Sequence, residues 1–138
     1  MTPAFDQLLH GMERHNRASD ADLSELQSFA GVQLPADYVA LLRHSDGTTG
    51  WLRGRYLIIY STRKVISVNR ASKIKDVLPN WLIFASNGGG TSYLFDLNTS
   101  QVSSPVYRCE DVDIGAESPE LIATSIEEFI QSFGPMVG

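Results

Sequence analysis

Between two apolar runs in the second half of the chain stand Asn87-Gly88-Gly89-Gly90. Asparagine and glycine tolerate positive φ, so this run predicts a tight turn. Before it lies Trp81-Leu82-Ile83-Phe84-Ala85 and after it Ser92-Tyr93-Leu94-Phe95-Asp96. Both have the length and residue types of strands. A turn this short can join them only as antiparallel neighbours. Asn98-Thr99-Ser100 predicts a second turn, leading into a strand over Val102 to Arg108. The three strands make an antiparallel meander. A phosphate-binding glycine loop leads instead into a helix N-terminus. Here the glycines lead into another strand and no P-loop lysine follows, which favours a hairpin whose amides could still meet a ligand or a partner.

The first third of the chain has a different period. Phe5, Leu8, Leu9 and Met12 share one helical face and predict a helix from Pro3 to about His15, capped by Thr2. A second helix starts after Ser19 or Asp20, turns Leu23, Leu26 and Phe29 inward and stops at Gly31. Leu34-Pro35-Ala36-Asp37-Tyr38 opens a third, with Tyr38, Leu41 and Leu42 buried and Asp46-Gly47 at its end. Tyr56 to Tyr60 reads as a strand. Ser61 to about Asn69 fits either a Ser61-capped helix or a strand over 64–68, and the helix is preferred. Residues 109–120 read as a loop. Ser125-Ile126-Glu127-Glu128 is a capping box, and Ile126, Phe129, Ile130 and Phe133 continue as a helix ended by Gly134-Pro135. Helices, then strands, then a helix indicate the α+β class: an antiparallel β-sheet meander packed by N-terminal helices and a C-terminal helix. A length of 138 residues suits one domain over 1–138.

The formal net charge is -5. Nucleic-acid binders are more often basic, so no nucleic-acid partner is expected. The charge is uneven. After Arg108 there is no Lys or Arg, while Glu110, Asp111, Asp113, Glu117, Glu120, Glu127 and Glu128 follow. Such a run is either a solvated surface or a face that steers a basic partner. The single cysteine, Cys109, permits no internal disulfide, and its acidic neighbours should raise its pKa. The N-terminus lacks the pattern of a signal peptide, and no apolar run approaches the ~20 residues of a membrane span, so a cytoplasmic location is expected. His10 and His15 are poorly spaced for a shared metal. His44-Ser45-Asp46 has the residue types of a triad without its geometry. No catalytic residue, metal site or cofactor is expected. Trp81 reads as core. Trp51, between Gly50 and Gly54, reads as core first and as an interface anchor second.

Three blocks resemble the SUKH superfamily. The first is Leu34-Pro35-Ala36-Asp37-Tyr38 with Leu41-Leu42 and Asp46-Gly47. The second runs from Leu82 through Asn87-Gly88-Gly89-Gly90 to Asp96, and the third is Ile122-Ala123-Thr124-Ser125-Ile126-Glu127-Glu128-Phe129-Ile130. Their order is right and they span roughly residues 20–133. Thr91 stands where many members carry Asp, and Ile126 replaces the usual aromatic. The resemblance implies an α+β fold and a non-catalytic, protein-binding function. Bacterial members look like immunity proteins that neutralise toxins, often nucleases; eukaryotic relatives act in cell-wall regulation through protein contacts.

The expected partner is therefore a protein, a basic toxin domain. The expected partner-binding residues are Asp46, Trp51, Arg53, Asp96, Glu110, Asp111 and Asp113, because loops and strand ends present charge without disturbing a core. The alternative is a small-ligand sensor or enzyme using a pocket beside the Gly88–Gly90 hairpin.

Overall fold

The computed structural model describes residues 5–98 and 105–133. The expected features at Thr2, Pro3, Thr99, Ser100, Val102 and Gly134-Pro135 lie outside them. Among the described residues, seven strands form one sheet in sequence order, each antiparallel to its neighbours: β1 (Glu13–Arg14), β2 (Thr48–Leu52), β3 (Arg55–Ile59), β4 (Trp81–Ser86), β5 (Thr91–Asp96), β6 (Val106–Glu110) and β7 (Glu120–Ala123). The helices are α1 (Phe5–Leu8), α2 (Asp20–Ala30), α3 (Ala36–His44), α4 (Thr62–Ala71), α5 (Ile74–Val77) and α6 (Ile126–Ser132). The protein is α+β, with helices packed on an antiparallel sheet.

Three serines start three of the helices. Ser19 and Asp22 form a complete capping box on α2, and the hydrogen bonds from Ser19 hold the Asp22 carboxyl below its ordinary range. Ser61 caps α4 by accepting from the Lys64 amide. Ser125 caps α6 by accepting from the Glu128 amide, but the Glu128 carboxylate reaches one residue further back, to the Thr124 amide at 2.9 Å. Asp37 ties α3 to α6, accepting from the Ile126 amide at 3.4 Å.

The first helix is shorter than its periodicity predicts. Phe5, Leu9 and Met12 are buried as expected, but Gly11 takes a φ of 88° and breaks the helix. Residues beyond it pair with β2 as the edge strand β1. Strand β2 covers a glycine-containing segment in which the sequence predicts no strand, and β7 begins at Glu120, the last residue of the predicted 109–120 loop. Each is anchored by one neighbour already in place: β2 by β3, and β7 by β6.

The two faces of the sheet differ. One carries Leu57, Ile59, Leu82, Phe84, Tyr93, Phe95 and Val106 into the main core. There Phe84 stacks on Phe95 with centroids 4.0 Å apart, and Tyr38 of α3 stands edge-on to Phe95 at 4.9 Å. Phe129 of α6 closes on Tyr93 at 4.8 Å. Ile126, which departs from the family pattern, is fully buried there. The opposite face packs Ile83, Leu94 and Cys109 under Ile74 of α5.

A register shift between Ile83 and Ala85 interrupts the pairing of β4 with β5. On its other side, β4 pairs with β3 at Ala85 and Ser86, and Tyr60 donates to the Phe84 carbonyl. The next backbone groups, on Ile83, are met by the side chain of Asn69 on α4. Its amide oxygen accepts from the Ile83 amide at 2.9 Å and its nitrogen donates to the Ile83 carbonyl at 2.8 Å. The same nitrogen donates to the Val65 carbonyl at 2.7 Å. Asn69→Ala should lower unfolding stability by about 2–4 kcal/mol, because it strands buried backbone groups. Urea denaturation measures this, and a loss below about 1 kcal/mol would show the bridge to be dispensable.

Candidate functional site

Strand pairing decides which side chains share a face. Thr49 faces Ile58 and Trp51 faces Tyr56, while Thr48, Gly50 and Leu52 alternate to the core side. The first set lies on the face that α5 covers further along the sheet. Over β2 and β3 that face is open. Trp51 is 68% exposed and meets Tyr56 edge-on, with centroids 5.2 Å apart. The core reading of Trp51 is therefore wrong: Trp51 occupies the outward side of strand β2. Trp81 is half-buried against Tyr107, at 4.8 Å.

Beside this aromatic pair is a cleft of about 540 Å³. Ile58 and Tyr60 line its sheet side. The start of α4 and the Gly88–Gly90 turn border it, and it includes Asp46 and Asp111. A Cβ on Gly88 would lie 3.3 Å from the Tyr56 ring, so glycine lets the turn close against β3. Burial pushes the Tyr60 phenol upward, a hydrogen bond with Ser86 works against that, and the Asp111 charge adds to the rise.

The register also places the sequence-predicted residues. Leu52 pairs with Arg55 and Ile58 with Ser86, so the β2–β3 turn and the Asn87–Gly90 turn lie at one end of the sheet. Thr91 pairs with Glu110, which brings Glu110 and the 3-10 turn Asp111–Asp113 to that end too. Asp96 pairs with Trp81 at the opposite end. Trp51, Arg53, Glu110, Asp111 and Asp113 thus share one end of the sheet, the first two at β2 and the acids at β6 with three strands between them; Asp46 and Asp111 border one cleft, and Asp96 stands at the other end.

Several of these residues have internal partners. Asp46 accepts from the Thr62 amide at 2.7 Å and from the Thr62 hydroxyl at 3.2 Å, which fixes the start of α4. Arg53, at a φ of 49° in the β2–β3 turn, donates to the Phe133 carbonyl at 2.8 Å and to the Ile130 carbonyl, capping the end of α6. Glu110 accepts from Thr91 at 3.1 Å and pairs with Arg108 at 2.8 Å. Ser92 donates to Asp111. Asp96 accepts from the Asn98 amide at 3.0 Å. Sequence reasoning missed Tyr56, Ile58 and Tyr60 as surface; alternation along β3 was the available signal, obscured because all five residues of Tyr56–Tyr60 are apolar or aromatic.

Cys109 is buried, and burial followed by the charges of Asp113, Glu110, Asp111 and Glu117 raises its thiol pKa, in the direction the sequence predicts. His44 is pushed down by burial and by Arg14, with Asp6 opposing. Among the described residues no group of three or more His, Cys, Asp or Glu could hold a metal ion, and no helix is long and apolar enough to cross a membrane.

Compared with known families, the chain matches the SMI1 / KNR4 family (SUKH-1) over residues 17–132. Comparison with curated proteins gave no matching relative.

Arg53 and Trp51 should separate cleanly on substitution. Arg53→Ala should cost about 1–2 kcal/mol by uncapping α6, and should speed amide exchange near Phe133. Trp51→Ala should change stability by less than about 1 kcal/mol, since an exposed ring gives up little burial. Denaturant titration and hydrogen exchange on both variants give the comparison; equal losses would contradict the assigned roles.

Proposed function

The chain belongs to the SMI1 / KNR4 family (SUKH-1), and from that footing we propose that it is an immunity protein, a non-catalytic domain that binds and neutralises a toxin domain of nuclease type in the bacterial cytoplasm. The whole chain, residues 1–138, is read as one such domain. The observation that carries this reading is Trp51, a large aromatic held outward on a paired strand and 68% exposed. Tryptophan on a rigid element is a good interface anchor, because its area is buried with little loss of conformational freedom. Glu110, Asp111 and Asp113 stand at the same end of the sheet, with three strands between them and β2. A nucleic-acid-binding cleft is usually basic, so an acidic protein of net charge -5 complements it and speeds encounter.

A second reading is supported by the cleft beside Gly88 and Gly90, whose volume of about 540 Å³ lies within the range of small-molecule pockets. A thermal-shift screen of nucleotides, sugars and metals tests it, since a ligand selective for the folded state raises the transition temperature.

Co-expression with the toxin domain encoded beside the gene should restore growth. Trp51→Ala should weaken the complex by at least about tenfold, in line with loss of an aromatic anchor. Asp111→Lys with Asp113→Lys should slow association, and rising salt should slow the unmodified protein likewise. No rescue and no complex would sink the immunity reading. An association rate indifferent to salt and to both reversals would remove the acids from the binding surface.

A further inference from the structure

We infer that the cleft between the start of α4 and the Gly88–Gly90 turn receives an arginine or lysine side chain from the protein partner. The inference rests on the protein-binding reading of this face and supplies the chemistry of the group that enters it.

The cleft first has to be judged as an anion site, because it lies at a helix N-terminus and beside a glycine turn. Five of the backbone donors that could hold an anion are already engaged. The Thr62 amide donates to Asp46 and the Lys64 amide to Ser61. In the turn, the Gly88 amide donates to Ser86 at 2.9 Å, and the Gly89 and Thr91 amides donate to Asn87. What the cleft offers instead is acceptors. Asp46 and Asp111 both border it, and among the described residues no Lys, Arg or His forms an ion pair with either. Their recorded donors are neutral: Thr62 for Asp46 and Ser92 for Asp111.

The sheet side favours the same occupant. Ile58 and the ring of Tyr60 give an apolar surface next to these carboxylates. A long cationic side chain lays its methylene stem on such a surface and keeps its head among polar groups. A guanidinium adds paired donors for a carboxylate. Lys64 also borders the cleft, but it is exposed on a flexible stem, so its ammonium can remain in solvent. His15, the other basic group there, is turned to Glu13 at 3.3 Å.

The probe is tetra-arginine amide, with tetraglutamate as its control, titrated into the ¹⁵N-labelled full chain. Tetra-arginine should shift the amides of Ile58, Tyr60, Gly88 and Gly90, and tetraglutamate should not. Asp111→Asn should weaken binding by about threefold, a modest figure because Asp111 is exposed. Lys64→Glu should strengthen it by a similar factor, so the inference does not depend on a single loss-of-function variant. Shifts confined to Glu117 and Glu120, equal binding of tetraglutamate, or indifference to both substitutions would overturn it. The peptide result stands apart from the toxin's identity. Peptide binding in the cleft without toxin protection sustains the side-chain pocket and removes the toxin. Protection without peptide binding there removes the pocket alone.

Discussion

A single side-chain amide stands in for a strand. Strand β3 leaves the sheet after Tyr60 so that α4 can begin at Thr62, and β4 runs on without a neighbour on that side. Buried backbone groups left unpaired there would be costly. Asn69 presents one acceptor and one donor to Ile83, as a facing peptide would, and anchors itself to Val65 one helical turn back. The helix is thereby fixed against the sheet where the β4–β5 register shifts. Leucine at that position could fill the space and bury more apolar surface, but could make none of these bonds.

That attachment shapes the open face. With α4 pinned to β4 at Ile83, the helix start lies beside β3, and α5 follows onto Ile83, Leu94 and Cys109. The helices cover one part of the second face and leave the β2–β3 part exposed. The cleft is the boundary between covered and uncovered sheet. Its two sides are held by short-range chemistry: Asp46 on the α4 amide, and Asn87 and Ser86 on the amides of the glycine turn. A face built this way is fixed in advance, which would limit the ordering entropy that association with a partner must overcome.

Most of what was legible in the sequence was local. The glycine turn, the serine caps of α2, α4 and α6, and the periodic stripes of α2, α3 and α6 each depend on residues a few positions apart. What was not legible depends on neighbours far along the chain. Thr48–Leu52 contains a glycine and lacks an apolar alternation, and it becomes a strand because β3 offers it a ladder. Glu120–Ala123 becomes one through β6. The periodicity of Phe5, Leu9 and Met12 correctly marked the core, yet Gly11 ended the helix inside it. Among the site residues, Arg53 shows the limit best. Its carbonyl partners are 77 and 80 positions away, so no local pattern could distinguish a helix cap from a partner contact.

The acids of the site therefore have to be sorted by what holds them, not merely by where they stand. An ion pair fixes a carboxylate and offsets part of its field, as Arg108 does for Glu110 while also reaching Glu120 at 3.7 Å. A hydrogen bond from a neutral group fixes a carboxylate and leaves its charge in place. Asp46, held by Thr62, and Asp111, held by Ser92, are of this second kind. Both are oriented without being neutralised, so their field extends from the cleft over a distance of order the Debye length, about 8 Å at physiological salt. Structural work and electrostatic steering are compatible in these two residues, because the donors that position them bring no charge of their own. Glu110, by contrast, is held by both Thr91 and Arg108, so it ties β5 to β6 with part of its charge offset.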